Sequence, residues 1–251
     1  MTDAFLIIDE LVVAFEALKA VDGVSISIPR GERRAIIGPN GAGKTTLFNA
    51  ATGVVRPTHG RIVFDGQDIT RLPPHRRARL GISRTYQITN LFPTLSVSDN
   101  MALAVRGLKR QKLSLFGSPQ LHDNEAAAIT LALTWVRLSD CVDAQVRELS
   151  YGEQRQLEIA LALVTGPSIL LLDEPAAGLS PAERSIVAQI IRSLQRDLTL
   201  IMIEHDMDLA LGLADYVTCM HEGRILAEGS PDVIRRDSSV QEVYLGKPRN
   251  A

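Results

Sequence analysis

Residues 34–45 read RAIIGPNGAGKT. An apolar run enters a glycine-rich turn that ends on a lysine and a threonine. Segment 38–45 satisfies G-x-x-x-x-G-K-[ST] in full, with a strand before it and a helix expected after it, the context the pattern needs. No other stretch restricts the fold so strongly: a strand–loop–helix unit of this kind belongs to an α/β architecture. The glycines let backbone N–H groups wrap phosphate oxygens. Lys44 supplies a cation for the β- and γ-phosphates, and the Thr45 hydroxyl is a ligand for Mg²⁺.

A second apolar strand, SILLLDEP at 168–175, delivers Asp173 and Glu174 at its C-terminal end. Ligands sit at that end of the strands in open α/β sheets. Adjacent carboxylates there take different tasks: Asp173 to hold Mg²⁺ through water, Glu174 to orient or deprotonate an attacking water. The strand LTLIMIE ends on His205, which sheet topology brings to the same edge, beside the strands that carry Lys44 and Asp173. Gln87 alone is an unremarkable surface glutamine.

A third segment raises a question. ELSYGEQ, 148–154, opens a helix with Ser150 as N-cap and Gly152 allowing close backbone approach. Free N–H groups and the helix dipole make this an anion site too. The chain therefore has two such places, about a hundred residues apart.

The rest of the chain frames these motifs. Residues 5–13, 24–28 and 61–69 read as short strands, the last with an Asp65-Gly66 turn. From 96 to 147 the periodicity is helical, with Ser96 and Asp99 resembling a capping box and an exposed loop at 107–124. Alternation of strands and helices then resumes. Ser180, Pro181 and Glu183 start one helix, residues 216–229 form two strands about a Glu222-Gly223 turn, and short capped helices follow Ser230.

With 251 residues and 45% hydrophobic content, the chain can bury a real core. A net charge of −2 gives no electrostatic case for nucleic acid. The basic cluster HRRAR, 75–79, reads as a solvated surface, with a contact to a partner or lipid headgroup as the alternative. Cys141 and Cys219 have no metal spacing and read as buried reduced thiols. No signal-peptide pattern opens the chain, and its apolar runs are far short of the roughly 20 residues of a spanning helix.

Together GPNGAGKT, Gln87, LSYGEQ, LLLDEP, AGLS and His205, in that order, resemble the ATP-binding subunits of ABC transporters over essentially the whole chain. The resemblance implies a RecA-like P-loop ATPase core with an antiparallel β subdomain and an inserted α-helical subdomain. It divides one domain, 1–251, into a nucleotide-binding core (1–87 and 150–251) and a helical part (88–149). It implies MgATP hydrolysis by a head-to-tail dimer, with each ATP held between one subunit's phosphate loop and the other's LSxG segment. Gly38, Pro39, Asn40, Gly41, Ala42, Gly43, Lys44, Thr45 and Thr46 are then the loop contacts to ATP, and Phe15 stacks on adenine. Thr45, Gln87 and Asp173 serve the Mg²⁺; Glu174, His205 and Gln87 serve the lytic water and γ-phosphate. Ser150, Gly152 and Glu153 reach the partner's ATP. The second ATPase subunit is the same chain or a relative.

RTYQ (84–87), LSYGEQRQLEIA, DEPAAGLSP, IEHDM and VYLG are closer still to the ATPase subunits of branched-chain amino-acid importers. That likeness implies permease partners in the membrane, a periplasmic or extracellular solute-binding protein, and a peripheral place on the cytoplasmic face of the inner membrane. Two departures stand out from the general ABC pattern: Tyr151 replaces a glycine of LSGGQ, and Ser180 stands where many relatives have aspartate. Lipopolysaccharide-export ATPases share the LPPHRRARLG-like and VYLG-like phrases but carry an LSGG-type segment. Soluble ABC ATPases acting on DNA or ribosomes carry coiled coils, metal sites or two cassettes.

Overall fold

The structure, a computed structural model, describes residues 4–85, 91–107 and 123–245. β1 (Ala4–Phe15) and β2 (Leu18–Pro29) form an antiparallel hairpin. The strand expected at 24–28 is longer than its sequence pattern suggests, because β1 pairs with β2 along its whole length, from Ala4↔Pro29 to Phe15↔Leu18. β3 (Arg33–Ile37) feeds the phosphate loop and then α1 (Lys44–Thr52). β4 (His59–Phe64) and β5 (Gln67–Asp68) complete an antiparallel sheet in the order β2-β1-β4-β5.

α2 (Pro74–Arg79) and β6 (Ile82–Arg84) come next. Three helices, α3 (Val97–Gly107), α4 (Asp123–Trp135) and α5 (Tyr151–Leu163), precede β7 (Ile169–Asp173). Then follow α6 (Pro181–Ser193), β8 (Thr199–Ile203), α7 (Met207–Leu213), β9 (Tyr216–His221), β10 (Arg224–Gly229), α8 (Pro231–Arg236) and α9 (Ser238–Leu245). The second sheet runs β10-β9-β3-β8-β7-β6, parallel except for β10 at its edge.

β3, β7 and β8 are buried at every residue; β7 and β8 are the near-continuous apolar strands expected between two covering layers, whereas β3 begins with the buried Arg33 and Arg34. Alternation splits each strand between two cores. Ile169, Leu171 and Ile203 face a core shared with Leu6, Ile26 and Phe48, whereas Leu170, Leu172 and Met202 face one shared with Leu157 and Ile190. The parallel sheet is thus packed between the antiparallel sheet with α1 and α2 on one side and helices α3 to α9 on the other.

The helical stretch is less continuous than its periodicity implies. α4 stops at Trp135 because Arg137 enters the left-handed region at φ 62, with Leu138 N–H donating to the Leu133 carbonyl and Arg137 N–H to that of Thr134. That is a Schellman stop built on arginine rather than glycine. The chain then reaches α5 through turns and two short 3-10 segments, Ser139–Cys141 and Val146–Glu148. Ser96 Oγ accepts from Asp99 N–H, as its spacing suggests. The loop expected at 107–124 lies almost wholly outside the described residues.

Two expectations need correction. HRRAR is not simply a solvated surface: Arg77 is buried, with its guanidinium donating to the carbonyls of Ala50, Ala51, Thr70 and Leu72 at 2.7–3.0 Å. It closes the C-terminal end of α1, whose last carbonyls have no helical partner. Burial pulls the Arg77 pKa down to about 10, which still leaves it charged. Of the two thiols, both free, only Cys219 is buried; Cys141 is half-exposed.

Candidate active site at the sheet edge

Strand order brings the chemistry-bearing residues together. β8 lies between β3 and β7, so their C-terminal ends deliver the phosphate loop, His205 and the Asp173–Glu174 pair to one edge. Each strand is too short and too buried to shift register without exposing apolar side chains.

The loop leaves β3 at Gly38 and enters α1 at Gly43. Gly43 occupies φ 98, and a Cβ there would collide with the Ala20 carbonyl of β2, so only glycine lets the loop pass. No side chain caps α1 and no acid stands in its first turn. The Lys44 ammonium lies beneath the loop, donating to the carbonyls of Gly38 at 2.6 Å and Pro39 at 2.9 Å. Burial lowers its pKa, and the charges of Glu174, Cys219 and Asp173 oppose that shift. Ala42 is buried, Pro39, Gly43 and Thr46 are half-buried, and Asn40, Gly41 and Thr45 face solvent.

Across the edge, Asp173 is buried and its Oδ2 accepts from Arg84 Nη2 at 2.5 Å. Its Oδ1 is buried without a hydrogen-bond partner among the described residues. An orphaned carboxylate oxygen is hard donor chemistry, and fits a Mg²⁺ that keeps waters and shares substrate phosphates. Glu174 takes the left-handed conformation at φ 50, costly for a non-glycine residue and found where surrounding structure imposes it. Its Oε2 lies 3.2 Å from Nε2 of the solvent-facing His205.

The structure also identifies residues that sequence reading missed. Arg84, three positions before Gln87, ties Asn49 of α1 to Asp173 and stands over the Phe48 ring. Glu204, next to His205, is buried and accepts the Ala176 N–H at 3.2 Å. Burial pushes its carboxyl up to about 7. An available signal was the acid closing an otherwise apolar strand, LTLIMIE. Gln87 lies outside the described residues.

Phe15 ends β1 at the hairpin tip and is 49% exposed, so it is not an ordinary core aromatic. The hairpin passes the loop at Ala20, which touches Gly43. Ser150, exposed, caps α5: its Oγ accepts from Glu153 N–H, and the Glu153 carboxylate accepts from Ser150 N–H. Gly152 is buried and its N–H donates to Glu183 Oε1 at 3.2 Å. The Tyr151 side chain lies against Gly178 in the loop after β7. A separate cleft of about 380 Å³, lined by Trp135, Leu163, Leu194 and Leu198, shares no residue with this edge.

Comparison with known proteins agrees with this geometry. The family model described as ABC transporter matches residues 21–177, and one described as branched-chain amino acid ATP-binding cassette transporter matches 224–249. The chain is 39% identical to the high-affinity branched-chain amino acid transport ATP-binding protein BraF of Pseudomonas aeruginosa, over 98% of this chain and 100% of that one. It is 38% identical to LivG of Escherichia coli K12, which bears the same description, with the same coverage. Among solved structures, an ATP-binding cassette of an ABC transporter in its ADP conformation aligns with a TM-score of 0.85 and 32% identity, covering 97% of this chain and 99% of that one. A nucleotide-free cassette aligns with a TM-score of 0.83 and 30% identity, covering 97% and 100%. With its phosphate loop, acidic strand end and histidine on one edge of such a sheet, the chain belongs to the ABC transporter ATP-binding family.

Proposed function

We propose that the chain is the ATP-hydrolysing subunit of an importer for branched-chain or related amino acids. The convergence of Lys44, Asp173, Glu174 and His205 on one edge carries the enzymatic part. Full-length likeness to BraF and LivG supports the class of solute.

Residues 38–46 cradle the triphosphate, Lys44 meets the β- and γ-phosphates, and exposed Phe15 offers a face to adenine. Thr45 and Asp173, with Gln87, hold Mg²⁺. When bound, Mg²⁺ neutralises charge on the phosphate oxygens. Glu174 accepts a proton from the attacking water at a carboxylate oxygen, and His205 orients that carboxylate and meets the γ-phosphate. Ser150, Gly152 and Glu153 belong to the ATP of a second subunit, so two copies, or this chain and a relative, enclose two MgATP.

The core, 1–87 and 150–251, then performs the chemistry, and the helical part, 88–149, faces the membrane permeases. No helix among the described residues is long and apolar enough to cross a membrane, so docking on permeases at the cytoplasmic face suits the chain. Residues 91–98 are the receiving surface, where Phe92 is 54% exposed. A solute-binding protein outside the membrane completes the system.

Purified protein is expected to turn over MgATP, and Glu174→Gln to lower kcat by about 10²–10⁴-fold while keeping nucleotide bound. Unaltered turnover in that variant would remove the assignment of the general base. For the solute, vesicles holding this chain and its permeases are expected to accumulate labelled leucine. Accumulation of urea or an amide instead would redirect the solute class, and a photocrosslinker at Phe92 that never captures a permease would remove the docking surface.

A further inference from the structure

The phosphate loop is held from a direction its motif does not announce. Gly38, its first residue, is buried, and its N–H donates to the hydroxyl of Tyr244 on α9 at 2.6 Å. Donor and acceptor are 206 positions apart in sequence. The carbonyl of the same glycine accepts from the Lys44 ammonium at 2.6 Å. Gly38 is therefore gripped on one side by the C-terminal helix and on the other by the lysine expected to meet phosphate. No side chain fits at this position: a Cβ would overlap the Met220 carbonyl of β9, and the backbone sits at φ 146, a region that side chains rarely adopt.

We propose that Tyr244 is a positioning residue for nucleotide binding, its hydroxyl setting the first residue of the phosphate loop and, through that residue, the Lys44 ammonium. The inference rests on the reading of Lys44 as the ligand of the ATP phosphates.

The rest of α9 is built to hold that hydroxyl still. Asp237 Oδ1 accepts the N–H groups of Ser239 and Val240 at the helix start. Val240 is fully buried, and so is Ile234 of the preceding α8. The Tyr244 side chain packs against the core beneath the helical face of the parallel sheet. Burial pushes its hydroxyl up to about 12, so it stays neutral at any working pH. A ring without the hydroxyl would pack equally well but leave a buried amide without its acceptor, and such a donor is stable only if the loop moves to find another. Small displacements of groups that position a substrate are amplified in binding and rate.

The test uses the intact chain and a fluorescent MgATP analogue. Tyr244→Phe is expected to raise its Kd about fivefold to tenfold, with the loss in turnover falling on KM rather than kcat. Val240→Ala, which loosens α9 without touching the hydroxyl, is expected to lower Tm and leave Kd within about twofold of the wild type. A Kd for Tyr244→Phe within twofold of the wild type overturns the inference. So does a Val240→Ala variant whose Kd rises as far as that of Tyr244→Phe, since α9 would then act only through stability. The site reading has its own control: if Lys44→Ala binds the analogue as the wild type does, that reading fails, and the role of Tyr244 falls with it.

Discussion

Two helices of this chain begin where an anion can be met, and they are finished in opposite ways. α1 starts at a left-handed glycine with no side-chain cap and no acid in its first turn, so its first amides stay available. α5 starts at a reciprocal Ser150–Glu153 capping box, and Glu183 from α6 takes the Gly152 N–H as well. A bare N-terminus is poorly capped alone but suits phosphate; a saturated one is stable alone and offers a visitor mainly the Ser150 hydroxyl. Two carboxylates near the start of α5 also repel an incoming phosphate. The difference teaches that small polar-x-glycine openings mark a helix start, while the carboxylates within reach decide whether an anion site results. For α5 to contribute to a partner's ATP, Glu183 must release Gly152 or the contact must run through Ser150.

The largest expected effect tests the bare end. Lys44→Ala should weaken MgATP binding by about 10²-fold or more, since a charge-assisted phosphate contact is lost; calorimetry reads it directly. An affinity unchanged by that substitution would erase the contrast. Ser150→Arg tests the saturated end: ATP-dependent dimerisation, followed by light scattering, should be lost, while cis Kd stays within about threefold of the wild type. Equal loss of both would break the division between the two helix starts.

A third measurement probes the loop from β7 to α6, which Glu204 holds at Ala176 and Tyr151 of α5 meets at Gly178. The folded carboxyl has its pKa raised to about 7, above its unfolded value. The folded state thus binds more protons over that interval, and stability falls as pH rises from the ordinary carboxylate range through about 7. Glu204→Gln keeps an acceptor and removes the charge. Its Tm should exceed that of the wild type at pH 8 by roughly 2–8 °C and match it near pH 4.5, a pattern that calorimetric scans resolve.

The smallest effect belongs to Glu183. Its carboxyl is held below the ordinary value by the Ser180 hydroxyl and by backbone N–H groups of Ser180 and Gly152. Its contribution to stability is therefore present above the usual carboxylate range and lost as pH falls through the lower folded value. Glu183→Gln retains an acceptor while removing a negative charge beside α5, and should tighten the ATP-bound dimer about twofold to fivefold by sedimentation. A weakened dimer would show that the carboxylate helps the partner's nucleotide rather than opposing it.

Local chemistry was legible in the sequence wherever it is local in the chain. The phosphate loop, the buried strand ending in Asp173, the N-cap at Ser150 and the box at Ser180 each involve residues a few positions apart. Sheet order could also be argued, and β8 does lie between β3 and β7. Hidden from the sequence were contacts whose partners meet only after folding. Arg84 finds Asp173 because β6 pairs with β7, and Tyr244 finds Gly38 because the last helix returns over the sheet. Arg77 looked like one charge among several because its acceptors are backbone carbonyls, which have no letter of their own.

That arginine has a consequence for the phosphate site. α1 has nine residues, hence a length of about 13 Å at 1.5 Å per residue. At one end stand unclaimed amides and a lysine; at the other, a guanidinium covers the carbonyls of Ala50 and Ala51. The helix's negative pole is covered by a fixed cation, so a phosphate arriving at the loop meets the positive pole of a helix whose far end is neutralised.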